Sequence, residues 1–132
     1  GAHHVIDYRA KDFVTEVRAL TGKAGVQVVF EHVGAATFAG SLKCLQRGGR
    51  LVTCGATTGG DVSLSLHAVF FKSLSILGST MGSKGDLRTI LRLVEQGRLR
   101  PVLDRELPMA QVGEAHRLLE AREALGKLVL RP

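Results

Sequence analysis

The stretch from Val26 to Gly55 narrows the fold most, because it reads as strand, helix, strand. Val26, Val28, Val29 and Phe30 form a nearly continuous run of β-formers, the pattern of a central strand covered on both faces. After Gly34 the period changes. Phe38, Leu42 and Leu45 recur at helical spacing with Ala35 and Ala39 beside them, so one face of the helix is apolar. Gly48 and Gly49 are expected to end that helix in a left-handed cap, and Leu51, Val52 and Cys54 to lead a second strand to Gly55. Two parallel strands joined by a crossover helix put their carboxyl ends at Val33, Gly34 and Ala35 and at Gly55 and Ala56. Open α/β sheets bind ligands beyond such ends.

The rest of the chain repeats the theme. His4, Val5 and Ile6 read as a short strand, followed by a helix carrying Phe13, Val14, Val17 and Leu20 with Asp12 and Glu16 in its first turns. The order up to Gly55 is then β-α-β-α-β, and short right-handed connections predict a layered, mostly parallel sheet. A polar loop, Thr57 to Asp61, leads to an extended segment through Val62, Leu64 and Leu66 and one helical turn from His67 to Lys72. Leu74, Ile76 and Leu77 predict another strand. Leu87, Ile90, Leu91 and Val94 give a helical stripe, with Ser83 and Asp86 spaced as a capping box and Gly97 as terminator. Pro101 to Leu107 reads as extended, a helix begins near Ala110, and Lys127 to Leu130 closes the chain as a strand.

Composition excludes several classes of function. The 132 residues suffice for one domain with a core, but are few for a complete α/β enzyme. A net charge of +6 invites nucleic acid as a partner, yet the basic residues are scattered among acids and a single Tyr offers no stacking surface, so no nucleic-acid binding is expected. No apolar run approaches the roughly 18 residues of a membrane span, so no membrane association is expected either. Cys44 and Cys54 are the only cysteines and form no CxxC. They read as reduced, buried thiols of a cytoplasmic protein. The chain opens on Gly-Ala-His-His without an initiator Met, which reads as a truncated start.

No motif declares chemistry by itself. There is no GxGxxG, and Gly78-Ser-Thr-Met-Gly-Ser-Lys-Gly lacks the spacing of a phosphate-cradling P-loop. The histidines His3, His4, His32, His67 and His116 have no metal-ligand spacing, so no metal site is expected. Only His32, beside Glu31, lies near the expected cleft. No hydroxyl, imidazole and carboxylate set suggests a catalytic residue.

The order of several short segments carries a resemblance. Gly-Ala-His-His-Val-Ile-Asp-Tyr at the start is followed by Val-Gln-Val-Val-Phe-Glu-His-Val-Gly from Val26 and Leu-Gln-Arg-Gly-Gly-Arg-Leu-Val-Thr-Cys-Gly from Leu45. Then come Leu-Ser-Ile-Leu-Gly-Ser from Leu74, Glu-Ala-His-Arg-Leu-Leu-Glu from Glu114 and Gly-Lys-Leu-Val-Leu from Gly126. Over its whole length the chain resembles the C-terminal part of medium-chain dehydrogenases/reductases, the superfamily of zinc-type alcohol dehydrogenases and quinone oxidoreductases.

The resemblance implies an α/β fold: a partial Rossmann sheet, doubly wound and mostly parallel, lacking its first strands. Residues 1–100 would belong to it, and 101–132 would form a tail returning to an absent N-terminal catalytic domain. It implies an NAD or NADP cofactor whose phosphate loop lies outside the chain, and zinc ligands, where the family has them, also outside it. Carried over by position, Val33, Gly34 and Ala35 would line the adenosine and ribose region, and Gly55 and Ala56 would sit under the cofactor. Leu77, Gly78 and Ser79 would hold the nicotinamide carboxamide through their backbone, and Lys127 matches a Gly-Lys pair near the cofactor in some relatives. The strand Leu74 to Thr80 would pair with its copy in a homodimer. An S-adenosylmethionine methyltransferase fragment and a non-catalytic nucleotide-binding or dimerisation module are the alternatives; the first predicts an antiparallel closing hairpin after Leu74.

Overall fold

The computed structural model describes residues 1–132, which divide into two compact units, Gly1–Met81 and Gly82–Pro132. In the first unit, α1 (Phe13–Leu20) starts at Asp12, whose carboxylate accepts the Thr15 N–H. It packs through Phe13 against Gly40, whose lack of a side chain makes room for the ring. Then follow β1 (Val26–Glu31), α2 (Phe38–Cys44), β2 (Leu45–Thr53), α3 (Leu66–Lys72) and β3 (Ser75–Gly78). The three strands form one parallel sheet in the order β1-β2-β3. The parallel layered α/β architecture is therefore as expected.

The core lies on one face of this sheet: Phe38, Leu42, Leu45, Leu51 and Leu74, flanked by Val26, Val29 and Val69. Leu45 and Leu51 are fully buried, each worth about 1.5–3 kcal/mol relative to exposure. The other face is open. Phe30 and Leu77, aligned through Val52, are 69% and 47% exposed. Strand β1 is therefore an edge strand covered on one face, not a central strand covered on both, and β2 is the central one.

Four further expectations are corrected. His4 to Ile6 is irregular backbone, because a strand exists only through a neighbour's ladder and none lies alongside. Leu45 begins β2 instead of extending α2, its backbone being extended at φ −70°, ψ 138°. Gly48 and Gly49 accordingly cap no helix. They fall where the pairing jumps from Val26 opposite Leu45 to Val28 opposite Arg50, and Gly48 takes φ +72° within that irregularity. Cys44 is buried as expected, whereas Cys54 lies just past the end of β2 and is exposed.

In the second unit, the Ser83 hydroxyl accepts the Asp86 N–H at 3.1 Å while Asp86 accepts the Ser83 N–H at 2.8 Å, the predicted capping box of α4 (Lys84–Glu95). Gly97 follows with φ +67°. Strands β4 (Leu103–Pro108) and β5 (Lys127–Arg131) pair in parallel around the crossover helix α5 (Val112–Glu120), which buries Ala115 and Leu118. The tail strands thus find each other as partners.

Candidate functional site

The parallel pairing brings the carboxyl ends of β1, β2 and β3 to one edge of the first unit's sheet. Beyond β1 the chain is tied down group by group. Glu31, 3% exposed, accepts the N–H groups of Val33 at 2.7 Å and Gly34 at 3.1 Å, the Thr37 hydroxyl at 3.0 Å and the Ser41 hydroxyl at 2.6 Å. Burial alone would raise its pKa. The hydrogen bonds from Ser41, Gly34, Val33 and Thr37 outweigh that and hold it below the ordinary glutamate value. The loop after β2 completes the lock: the Ala35 N–H donates to the Gly59 carbonyl at 3.1 Å and the Ala36 N–H to the Thr58 hydroxyl at 3.0 Å. The Val33 carbonyl accepts the Thr58 N–H at 2.8 Å and its hydroxyl at 2.7 Å. Thr37 and Phe38 donate to the Gly34 carbonyl to start α2. Every N–H from Val33 to Phe38 is therefore spent inside the protein.

The glycine in that loop serves the same lock. Gly34 has φ +91°, and a Cβ on it would lie 2.5 Å from the Gly59 carbonyl oxygen. Gly55 is less confined, its Cβ position lying 3.1 Å from the His32 carbonyl.

Beyond β2 and β3 the situation reverses. Thr53, Cys54, Gly55, Ala56, Gly78, Ser79 and Thr80 line an open-sided cleft of about 450 Å³. The N–H groups of Gly55, Ala56 and Thr80 find no acceptor in the chain, whereas that of Ser79 is committed to the Thr53 carbonyl at 2.9 Å. A Cβ on Gly78 would meet nothing within 4 Å, so the fold itself does not require glycine there.

Of the residues singled out from sequence, the structure brings Gly55, Ala56, Gly78 and Ser79 together in this cleft. Val33 lines a separate, smaller hollow with Glu31 and His32, while Gly34 and Ala35 sit in the locked loop. Leu77 lies in β3 at half exposure, and Lys127 opens β5 in the other unit. Glu31, Thr37 and Ser41 were not expected as a group. The available signal was an acid at the end of an apolar strand with hydroxyl residues spaced along the helix that follows. Cys54 was also not expected in the cleft.

No three His, Cys, Asp or Glu side chains form a group able to hold a metal ion. The parallel β2–β3 register lacks the antiparallel closing hairpin of a methyltransferase. No helix is long and apolar enough to cross a membrane.

Comparison with known proteins gives the family. A family model described as zinc-binding dehydrogenase matches residues 1–130. The chain is 28% identical to 2-haloacrylate reductase of Burkholderia sp over 100% of its length and 43% of that protein. It is 26% identical to quinone oxidoreductase of Homo sapiens over 98% of its length and 41% of that protein. A crystal structure of an NAD-dependent alcohol dehydrogenase superposes with a TM-score of 0.87 at 45% identity, covering all of this chain and 38% of that one. The chain thus spans about two fifths of the length of these relatives. It belongs to the zinc-binding dehydrogenase family.

Proposed function

We propose that this chain is the nicotinamide-binding part of a longer NAD(P)-dependent oxidoreductase that moves hydride between the cofactor and a carbonyl, alcohol or enone. The observation that carries the reading is the cleft at the ends of β2 and β3, where the N–H groups of Gly55, Ala56 and Thr80 are uncommitted and nothing covers Gly78. Such a surface suits a flat ring bearing an amide. Gly78 admits close approach, and the free N–H groups of Gly55, Ala56 and Thr80 are the donors available to it. The cofactor, when bound, supplies the hydride chemistry; this chain's residues position it and fix which ring face is presented.

Within this reading Leu77, Gly78 and Ser79 hold the carboxamide end and Gly55 and Ala56 lie under the cofactor. Val33, Gly34 and Ala35 contribute shape on the adenosine side and no N–H donors, since Glu31, Gly59 and Thr58 already hold the N–H groups of residues 33 to 36. The catalytic domain, any zinc ligands and the phosphate-binding loop belong to the rest of the longer protein, which is read as cytoplasmic. The outer edge of β3 is unpaired in the order β1-β2-β3, and pairing it with a second copy would give a homodimer. Sedimentation should then report a two-fold mass that a proline at Ile76 abolishes.

Calorimetric titration with NADH, NADPH and S-adenosylmethionine tests the function. Saturable binding of one or both nicotinamide dinucleotides, with none of the methyl donor, is the expected result. Binding of S-adenosylmethionine alone would overturn it.

A further inference from the structure

A second hollow, of about 270 Å³, opens on the helical side of the first unit between α1, α2 and the segment leading into α3. Its cationic lining is Arg18, Lys43 and Lys72, and Ser63 and Ser65 line it beside the apolar Ala39, Leu42 and Ala68. None of the three cations has a carboxylate within 4.0 Å. Asp12 is close enough to feel the Lys43 charge, but its carboxylate is taken by the backbone and hydroxyl of Thr15. Lys72 is held in place: its ammonium donates to the Leu45 carbonyl at 2.8 Å and the Lys43 carbonyl at 3.5 Å, which leaves one hydrogen free. Satisfying the carbonyls at the end of α2 explains Lys72 but not Arg18 or Lys43. The Ser65 oxygen accepts the Ala68 N–H at 3.3 Å, so its own hydrogen is free to donate outward. Helix α2 starts beside the carboxyl end of β1 and runs back to the amino end of β2, so Lys43 marks the end of the sheet opposite Gly78.

We infer that this hollow is a second ligand site, taking a small dianion such as a phosphate monoester with a short carbon chain. Three unpaired positive charges around one cavity repel each other until an anion neutralises them, and charge-assisted donors supply the directional part of the binding. The apolar wall gives a short carbon chain a place to bury, and the volume exceeds what a bare phosphate fills. The inference is independent of the proposed cofactor site, which lies at the other end of the strands.

The test is an amide-resolved NMR titration of the full 132-residue chain at constant ionic strength with inorganic phosphate, propyl phosphate, butyrate and chloride. Saturable shifts are expected at Ser63, Ser65 and Lys72, tighter for propyl phosphate than for inorganic phosphate, while the amides of Gly55, Ala56 and Gly78 stay put. Arg18→Gln and Lys43→Gln, both at exposed side chains, should each weaken binding about tenfold with an unchanged melting temperature. Ser63→Ala offers a variant that leaves all three charges in place and should weaken binding less. Shifts that grow linearly and match those of chloride would overturn the site. So would propyl phosphate binding that both charge variants leave unchanged, and butyrate binding as tightly as propyl phosphate would overturn the dianion class.

Discussion

The two loops at the carboxyl edge of the sheet look alike in sequence, each a glycine and small residues after a strand, yet they are physically opposite. After β1, a buried carboxylate and the neighbouring loop consume the N–H groups of residues 33 to 36, the Gly34 carbonyl takes those of Thr37 and Phe38, and Gly34 is glycine because the Gly59 carbonyl occupies the space of a side chain. After β2 and β3, the N–H groups of Gly55, Ala56 and Thr80 are unspent and the space over Gly78 is empty. A glycine can thus serve packing or access, and only what a Cβ would meet tells which. The loop after β1 has no N–H left for a ligand, and the edge at β2 and β3 has those of Gly55, Ala56 and Thr80.

Substitutions can break or sharpen this contrast. The largest effect is expected from Gly34→Val, which combines a positive φ with a collision against backbone; urea unfolding should show a loss of about 3 kcal/mol or more. Glu31→Gln comes next, at about 1–2 kcal/mol. The Val33 and Gly34 N–H groups would still find the amide oxygen, but the charge that strengthens all four partners' bonds would be gone.

That substitution also carries a pH signature. The folded-state pKa of Glu31 is lowered, so its contribution is fully present above the ordinary value of 4.5 and is lost as pH falls through the lower folded value. Between about pH 6 and about pH 3 the parent chain should lose more stability than Glu31→Gln does, as read from urea midpoints. Gly55→Ala, whose methyl must push back one carbonyl by a few tenths of an ångström, should cost about 1 kcal/mol in the same assay. Gly78→Ala should stay within about 0.5 kcal/mol of the parent chain.

How legible all this was depends on distance along the chain. The capping box of Ser83 and Asp86 and the terminating Gly97 were readable because each acts within one turn of its own helix. Leu45 misled because it satisfies the helical period of Phe38 and Leu42 and also suits the start of a buried strand, and only the pairing with Val26 decides between them. His4 to Ile6 has a strand's composition, but composition cannot supply the neighbour that a ladder needs. The strand ends were located correctly from the crossover pattern. The difference between them was hidden, since it depends on Thr58 and Gly59 reaching back to residues 33, 35 and 36 and on Glu31 collecting donors up to ten residues away.

The most direct measurement pairs stability with binding in one variant. Gly78→Val should fold within about 1 kcal/mol of the parent chain by urea unfolding, yet bind the preferred nicotinamide dinucleotide at least about tenfold more weakly by calorimetry. Unchanged dinucleotide binding by a folded Gly78→Val chain would contradict the claim that the bare end of β3 is where the cofactor rests.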